Sequence, residues 1–133
     1  KEACVSFLLV FMGAGLGGML RHAVNLAALR FIGAELPFGT LFVNVTGSFC
    51  IGLVAEYWAL KSGLPQPMRL FLTTGIMGGY TTFSAFSLET ALLYERGQAL
   101  TAFAYAVLSV ILSVGALFAA LWLVRSLDAR GVL

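Results

Sequence analysis

An all-α integral membrane protein with four spanning helices, the third of them broken, is the fold class this sequence predicts. Three observations predict it. The 133 residues are 60% apolar and only 11% charged, whereas a soluble domain carries about 25% charged residues, so there is too little charge to build a solvated shell. The apolar residues fall into four runs parted by short polar turns, and a spanning helix needs about 20 apolar residues. The third run is unlike the others: Gly75-Ile76-Met77-Gly78-Gly79-Tyr80-Thr81-Thr82-Phe83-Ser84-Ala85-Phe86-Ser87-Leu88-Glu89 places three glycines, two threonines and two phenylalanines among serines. Glycines and hydroxyls inside an apolar span invite a break, which lipid tolerates only where the break is buried in protein or lines a cavity.

The length predicts a single domain over residues 1–133. A net charge of +2 is too small to argue for a nucleic-acid partner, and one histidine with two cysteines argues against a metal or redox centre built on those residues. Cys4 and Cys50 lie in apolar runs and read as small hydrophobes. The first apolar run is too long for a cleaved signal peptide and lacks its small-residue cleavage pattern.

The first span is expected over about 3–29, with Arg21, His22 and Asn25 toward one end. Gly13-Ala14-Gly15-Leu16-Gly17-Gly18 formally matches a dinucleotide fingerprint, but no strand precedes it. Gly13 and Gly17 instead form a small-xxx-small face for a neighbouring helix. The second span, about 37–60, opens on Pro37, which suits a first helical position. Its Thr40, Asn44 and Ser48 are spaced by four and share one face; Ser48 and Gly52 permit close packing, and Glu56, Tyr57, Trp58 and Lys61 read as an interfacial end.

The third span covers about 68–94. Its apolar part up to Gly79 is 12 residues, or ~18 Å at 1.5 Å per residue, too short for a ~30 Å core. Two half-helices around a break at 78–82 are therefore expected, with Glu95-Arg96-Gly97-Gln98 closing the segment. The fourth span runs over about 99–124, where Tyr105, Ser109 and Ser113 form a polar stripe that Leu117 ends. Short connections imply antiparallel neighbours.

Lys1, Lys61, Arg69, Arg125 and Arg130 fall on one side of such a topology, and Arg21, Arg30 and Arg96 on the other. Five against three is a weak positive-inside bias. It is compatible with insertion both ways, hence an antiparallel dimer, and equally with one orientation.

No catalytic constellation is visible, so an enzyme is the least favoured class. The spans offer neutral donors (Asn44, Ser84, Ser87, Tyr105, Ser109, Ser113 and the threonines) that can replace the water around a small anion. Each has a plain alternative: a serine on a membrane helix often bonds its own i−4 carbonyl or a neighbouring helix. Phe83 and Phe86 share a face; they are either core or lipid-facing aromatics, or rings whose positive edges turn toward a path. Arg21 either raises anion concentration at a mouth or anchors a helix end by snorkelling. Glu89, expected near a helix end, is either structural or pore-related. The carbonyls freed at 78–82 suit a hard cation such as Na⁺ if two copies met there; alternatively the Thr81 and Thr82 hydroxyls satisfy a simple kink.

Three stretches carry a family resemblance over nearly the whole chain: Gly17-Gly18-Met19-Leu20-Arg21, Gly39-Thr40-Leu41-Phe42-Val43-Asn44-Val45-Thr46-Gly47, and Gly78-Gly79-Tyr80-Thr81-Thr82-Phe83-Ser84-Ala85-Phe86. The chain resembles the CrcB/Fluc family of fluoride channels. The resemblance implies a fluoride-selective passive channel that exports fluoride through a cell (inner) membrane, working as an antiparallel, dual-topology homodimer with two pores. It implies a structural Na⁺ at the dimer centre held by backbone carbonyls of Gly78 and Thr81. It assigns Phe83, Phe86, Asn44, Tyr105, Ser109 and Ser113 to the fluoride path, with Thr40 and Ser84 as further hydroxyls beside it. Leu117 stands where the family track can carry another hydroxyl. The rival reading is a small four-span proton-coupled exporter of the multidrug-resistance type, for which Glu89 is the one candidate coupling carboxylate.

Overall fold

The computed structural model describes residues 2–133, so the cationic end expected at Lys1 lies outside the described residues. Every regular element in them is helical: α1 (Glu2–Phe31), α2 (Phe38–Leu60), α3 (Gln66–Leu70), a π-helix (Phe71–Met77), α4 (Gly78–Tyr80), α5 (Phe83–Glu95) and α6 (Ala99–Ala129). Three of them, α1, α2 and α6, are long and apolar enough to cross a membrane, with mean hydropathies of 2.0, 1.7 and 2.5 over their best windows. The third apolar run is covered by the successive shorter pieces from α3 to α5. The protein is an all-helical membrane protein. Large apolar side chains such as Phe7, Phe11, Leu100, Phe103 and Trp122 face outward, as a lipid solvent allows.

The long helices extend a little beyond the expected spans. The fourth helix, expected to end near residue 124, holds to Ala129. Two ion pairs account for this: Arg125 grips Glu56 of α2 (2.7 Å), and Lys61 binds Asp128 (2.9 Å). The ends of α2 and α6 are tied together by these contacts.

Glycines set how closely the helices meet. A Cβ on Gly13 would lie 2.8 Å from the Gly75 Cα, and one on Gly17 would strike the Ile76 carbonyl. Gly79 presses on the Ala14 backbone in the same seam. The small-residue face of α1 thus receives the π-helix and α4, backbone on backbone. Gly52 does the same between α2 and α6, where a Cβ would meet Ala120 at 2.9 Å and the Leu117 carbonyl at 3.0 Å.

The interruption of the third segment is narrower than the 78–82 expected. Gly78–Tyr80 remain helical, and only Thr81 (ψ 158°) and Thr82 (φ −154°, ψ 116°) are extended. The remaining irregularity sits upstream, in the seven-residue π-helix. Gly78 needs no unusual backbone, with φ −62°, and has room for a Cβ; Gly75 and Gly79 serve close packing on α1, and the threonines make the break.

Candidate functional site

The site grows from the two extended residues. A helix that ends at Tyr80 and restarts at Phe83 leaves peptide groups without intrahelical partners, and α2 supplies one side chain that takes both groups of Thr82. Thr82 N–H donates to Asn44 Oδ1 (2.8 Å), and Asn44 Nδ2 donates to the Thr82 carbonyl (3.0 Å). Because the Thr82 amide goes to Asn44, it does not close the helical ring onto the Gly78 carbonyl. The hydroxyls complete the join. Thr82 Oγ1 accepts from Ala85 N–H (3.1 Å) and so N-caps α5. Thr81 Oγ1 donates to the Met77 carbonyl (2.9 Å). From α1, Arg21 Nη1 reaches the Thr81 carbonyl at 3.4 Å.

Beside this join lies a cavity of about 300 Å³. Asn44, Thr81, Phe83, Phe86, Ser109 and Ser113 all line it, so α2, the break, α5 and α6 each contribute. The Phe83 and Phe86 rings stand 5.3 Å apart at 51°, and Phe86 lies 5.5 Å from the Tyr105 ring. Ser109 is 5% exposed, and its Oγ is the one buried side-chain polar atom among the described residues that makes no hydrogen bond of good geometry, although it lies close to the Tyr105 hydroxyl one turn back. A buried hydroxyl left open costs about 1–3 kcal/mol, so this atom marks a place where something polar belongs.

One helical turn away the situation reverses. Tyr105 Oη donates to Glu89 Oε2 (2.8 Å), and Thr40 Oγ1 donates to Glu89 Oε1 (2.7 Å). Thr40 is 2% and Tyr105 8% exposed, so this junction of α2, α5 and α6 is closed off. On its far side Thr40 and Glu89 line a second cavity of about 290 Å³, together with Asn25, Glu35 and Arg96. The order along the molecule is therefore cavity, Phe86, the Tyr105–Glu89–Thr40 junction, cavity.

Most of the residues singled out by sequence thus converge. Asn44, Phe83, Phe86, Ser109, Ser113, Gly78 and Thr81 border one cavity, while Tyr105 and Thr40 close its neighbour. Ser84 is exposed and sits 3.3 Å from the Thr82 hydroxyl. Ser87 bonds its own i−4 carbonyl, that of Phe83. Arg21 is half-buried against the break. Glu89 is a correction: it lies in the middle of the 13-residue α5, not near a helix end, because α5 starts at Phe83 and runs unbroken to Glu95. There its partners are side-chain hydroxyls of two other helices. Thr82, expected only as a hydroxyl that could satisfy a kink, does so by capping α5, and it also anchors the break on Asn44 through its own peptide groups. Its signal was present as a hydroxyl residue directly before an apolar helix, the usual N-cap position.

An interrupted helical membrane protein with a hydroxyl- and ring-lined cavity is the class that fold and site define. Residues 8–121 match the family model described as CrcB-like protein, Camphor Resistance (CrcB). The chain is 68% identical over 92% of its length to a fluoride-specific ion channel FluC of Granulibacter bethesdensis, covering 97% of that protein. It is 56% identical to fluoride-specific ion channel FluC 2 of Nitrobacter hamburgensis (92% of this chain, 99% of that one) and 53% identical to a FluC of Rhodopseudomonas palustris (92% and 99%). The chain belongs to the CrcB family, whose curated relatives here carry the name of ion channels and not of enzymes.

Proposed function

We propose that this protein is a passive, fluoride-selective channel that lets fluoride leave the cell across its inner (plasma) membrane. The observation that carries the reading is the buried, unpartnered Ser109 hydroxyl in a cavity walled by Phe83, Phe86, Ser113 and Asn44. Fluoride is small and tightly hydrated. A path for it must replace water with donors, yet hold the ion weakly enough for it to leave. Neutral hydroxyls and the positive edges of aromatic rings meet both demands better than a fixed cation in the path.

The roles follow from the contacts. Ser109 and Ser113 offer hydroxyl donors, and Phe83 and Phe86 offer ring edges. Asn44 holds the break with one amide hydrogen and the carbonyl oxygen, and its second amide hydrogen is free to face the path. Tyr105 and Thr40 present their hydroxyls to an anion only when Glu89 yields them, so the junction is the controlled point of the path. Ser84 lies at the outer margin of this set.

Phe83 is 77% exposed at the cavity wall, so a single protomer leaves the path open on one side. An antiparallel homodimer of dual topology, with one pore on each face, completes it. In that assembly a structural Na⁺ at the dimer centre would be held by the Gly78 and Thr81 carbonyls of both subunits. The local structure fits this. The Gly78 carbonyl has lost its helical donor to Asn44, and the Thr81 carbonyl carries only the long Arg21 contact and has a second lone pair. A bound cation there supplies charge to carbonyls that lipid leaves unsatisfied.

The test is ion efflux from liposomes with valinomycin carrying balancing potassium, read with fluoride and chloride electrodes. Fast fluoride loss that needs valinomycin, with chloride retained, is expected, and Phe83→Ile is expected to cut it at least ten-fold in intact dimers. Wild-type flux in that variant would remove Phe83 from the path. Transport that follows a proton gradient and vanishes in Glu89→Gln would replace the channel by a coupled exporter.

A further inference from the structure

The molecule carries a further groove, which adjoins the second cavity at Ala28. It lies between the end of α1 and the start of α2, has a volume of about 530 Å³, and is lined by apolar side chains alone, among them Val24, Phe31, Ile32, Phe38, Leu41 and Phe42. Phe31, Ile32 and Phe42 are 81%, 63% and 54% exposed. On α2, Phe42 points away from Asn44 and Ser48, which face the first cavity, while Leu41 forms the inner wall of the groove against the Leu93, Ala102 and Tyr105 cluster. The groove spans α1 from Val24 to Ile32, roughly 12 Å at 1.5 Å per residue, less than half of a ~30 Å hydrocarbon core. One leaflet's acyl chain fits that depth.

A cation flanks the groove beside its lining residue Phe31. Arg30, in the last turn of α1, holds its guanidinium 5.9 Å from the Phe31 ring centroid. Arg30 belongs to neither ion pair among the described residues, and no acidic side chain lines the groove. An apolar trough flanked by an unpaired guanidinium matches one chemistry: an acyl chain joined to an anionic phosphate headgroup, which arginine binds in a planar, two-pronged way. We propose that this groove is a binding site for an anionic phospholipid, with the chain along Phe42 and Leu41 and the phosphate on Arg30.

The test uses the full-length protein in vesicles, with Trp58 and Trp122 changed to Phe and Phe42→Trp as the only indole. Brominated-chain phosphatidylglycerol and brominated-chain phosphatidylcholine are compared as quenchers at equal mole fraction, and fluoride flux checks that each variant is folded. A juxtamembrane arginine contributes about 1 kcal/mol toward anionic lipid, so phosphatidylglycerol is expected to associate about five-fold more strongly. Arg30→Gln is expected to remove that preference and Arg30→Lys to keep most of it. Equal quenching by both lipids with Arg30 intact would reduce the groove to ordinary bulk-lipid contact and overturn the proposal. Absence of quenching by either would overturn it too, by showing the groove covered by protein, such as a second copy of the chain.

Discussion

Tyr105 and Ser109 sit one turn apart on α6, on the same face, and both are buried. Their hydroxyls nevertheless end in opposite states. Tyr105 donates a hydrogen bond to Glu89, which also accepts one from Thr40; Ser109 makes no hydrogen bond of good geometry, although the Tyr105 hydroxyl lies nearby. The difference lies in the opposing helix. Across from Tyr105, α5 brings a carboxylate; across from Ser109 it brings the rings of Phe83 and Phe86 and leaves a cavity. Equal spacing on one helix thus yields a closed junction and an open site. The junction is stabilised by its bonds, and the cavity carries an unmet donor. A donor that is to serve a passing ion cannot also be satisfied by the protein.

Three substitutions test that contrast, beginning with the join both regions rest on. Asn44→Leu removes both bonds to Thr82 and leaves its N–H and carbonyl unpaired, at ~1–3 kcal/mol each. A loss of about 2–4 kcal/mol is expected in reversible unfolding in detergent, together with loss of fluoride flux. An unchanged unfolding midpoint would mean Thr82 finds other partners and the join is dispensable.

Thr40→Val opens one side of the junction. Interhelical hydrogen bonds in membranes average ~0.6 and reach ~1.7 kcal/mol, so a destabilisation within that range is expected on the same unfolding curve. If Thr40→Val left stability untouched while Glu89→Gln lowered it strongly, the carboxylate would be held chiefly by Tyr105.

Ser109→Ala is the smallest in stability and the most informative in function. Deleting an unpartnered buried hydroxyl removes a desolvation cost of ~1–3 kcal/mol, which the void left behind partly offsets, so stability should hold or rise while fluoride efflux falls. A stability loss above 1 kcal/mol would mean that this hydroxyl is bonded within the working protein, and the contrast with Tyr105 would dissolve.

Much of this was legible in the chain. Asn44 is costly in lipid, so it had to face protein or water, and Tyr105, Ser109 and Ser113 at four-residue spacing had to share a face. What spacing cannot tell is the partner. Glu89 read as a residue near a helix end, although a break at 78–82 already implied a second half-helix with Glu89 midway along it; what spacing could not supply is that the carboxylate lies there between the hydroxyls of Thr40 and Tyr105. For Thr82 the hydroxyl's part in the kink was legible, but its peptide groups' pairing with Asn44 was not, because that side chain lies 38 residues away.

By itself the sequence determined the solvent this protein folds in, the number of its apolar segments, the faces on which polar groups lie, and the segment that could not remain one helix. Those properties follow from composition and from the 3.6-residue period, which are local. Only the tertiary structure decided that two threonines form the break, that Asn44 seals it, that Glu89 accepts hydrogen bonds from Thr40 and Tyr105, and that Ser109 is left without a well-aligned partner. Hydrogen bonds between helices depend on how closely the backbones approach, and here the approach is set by glycines whose contacts lie far apart in the chain.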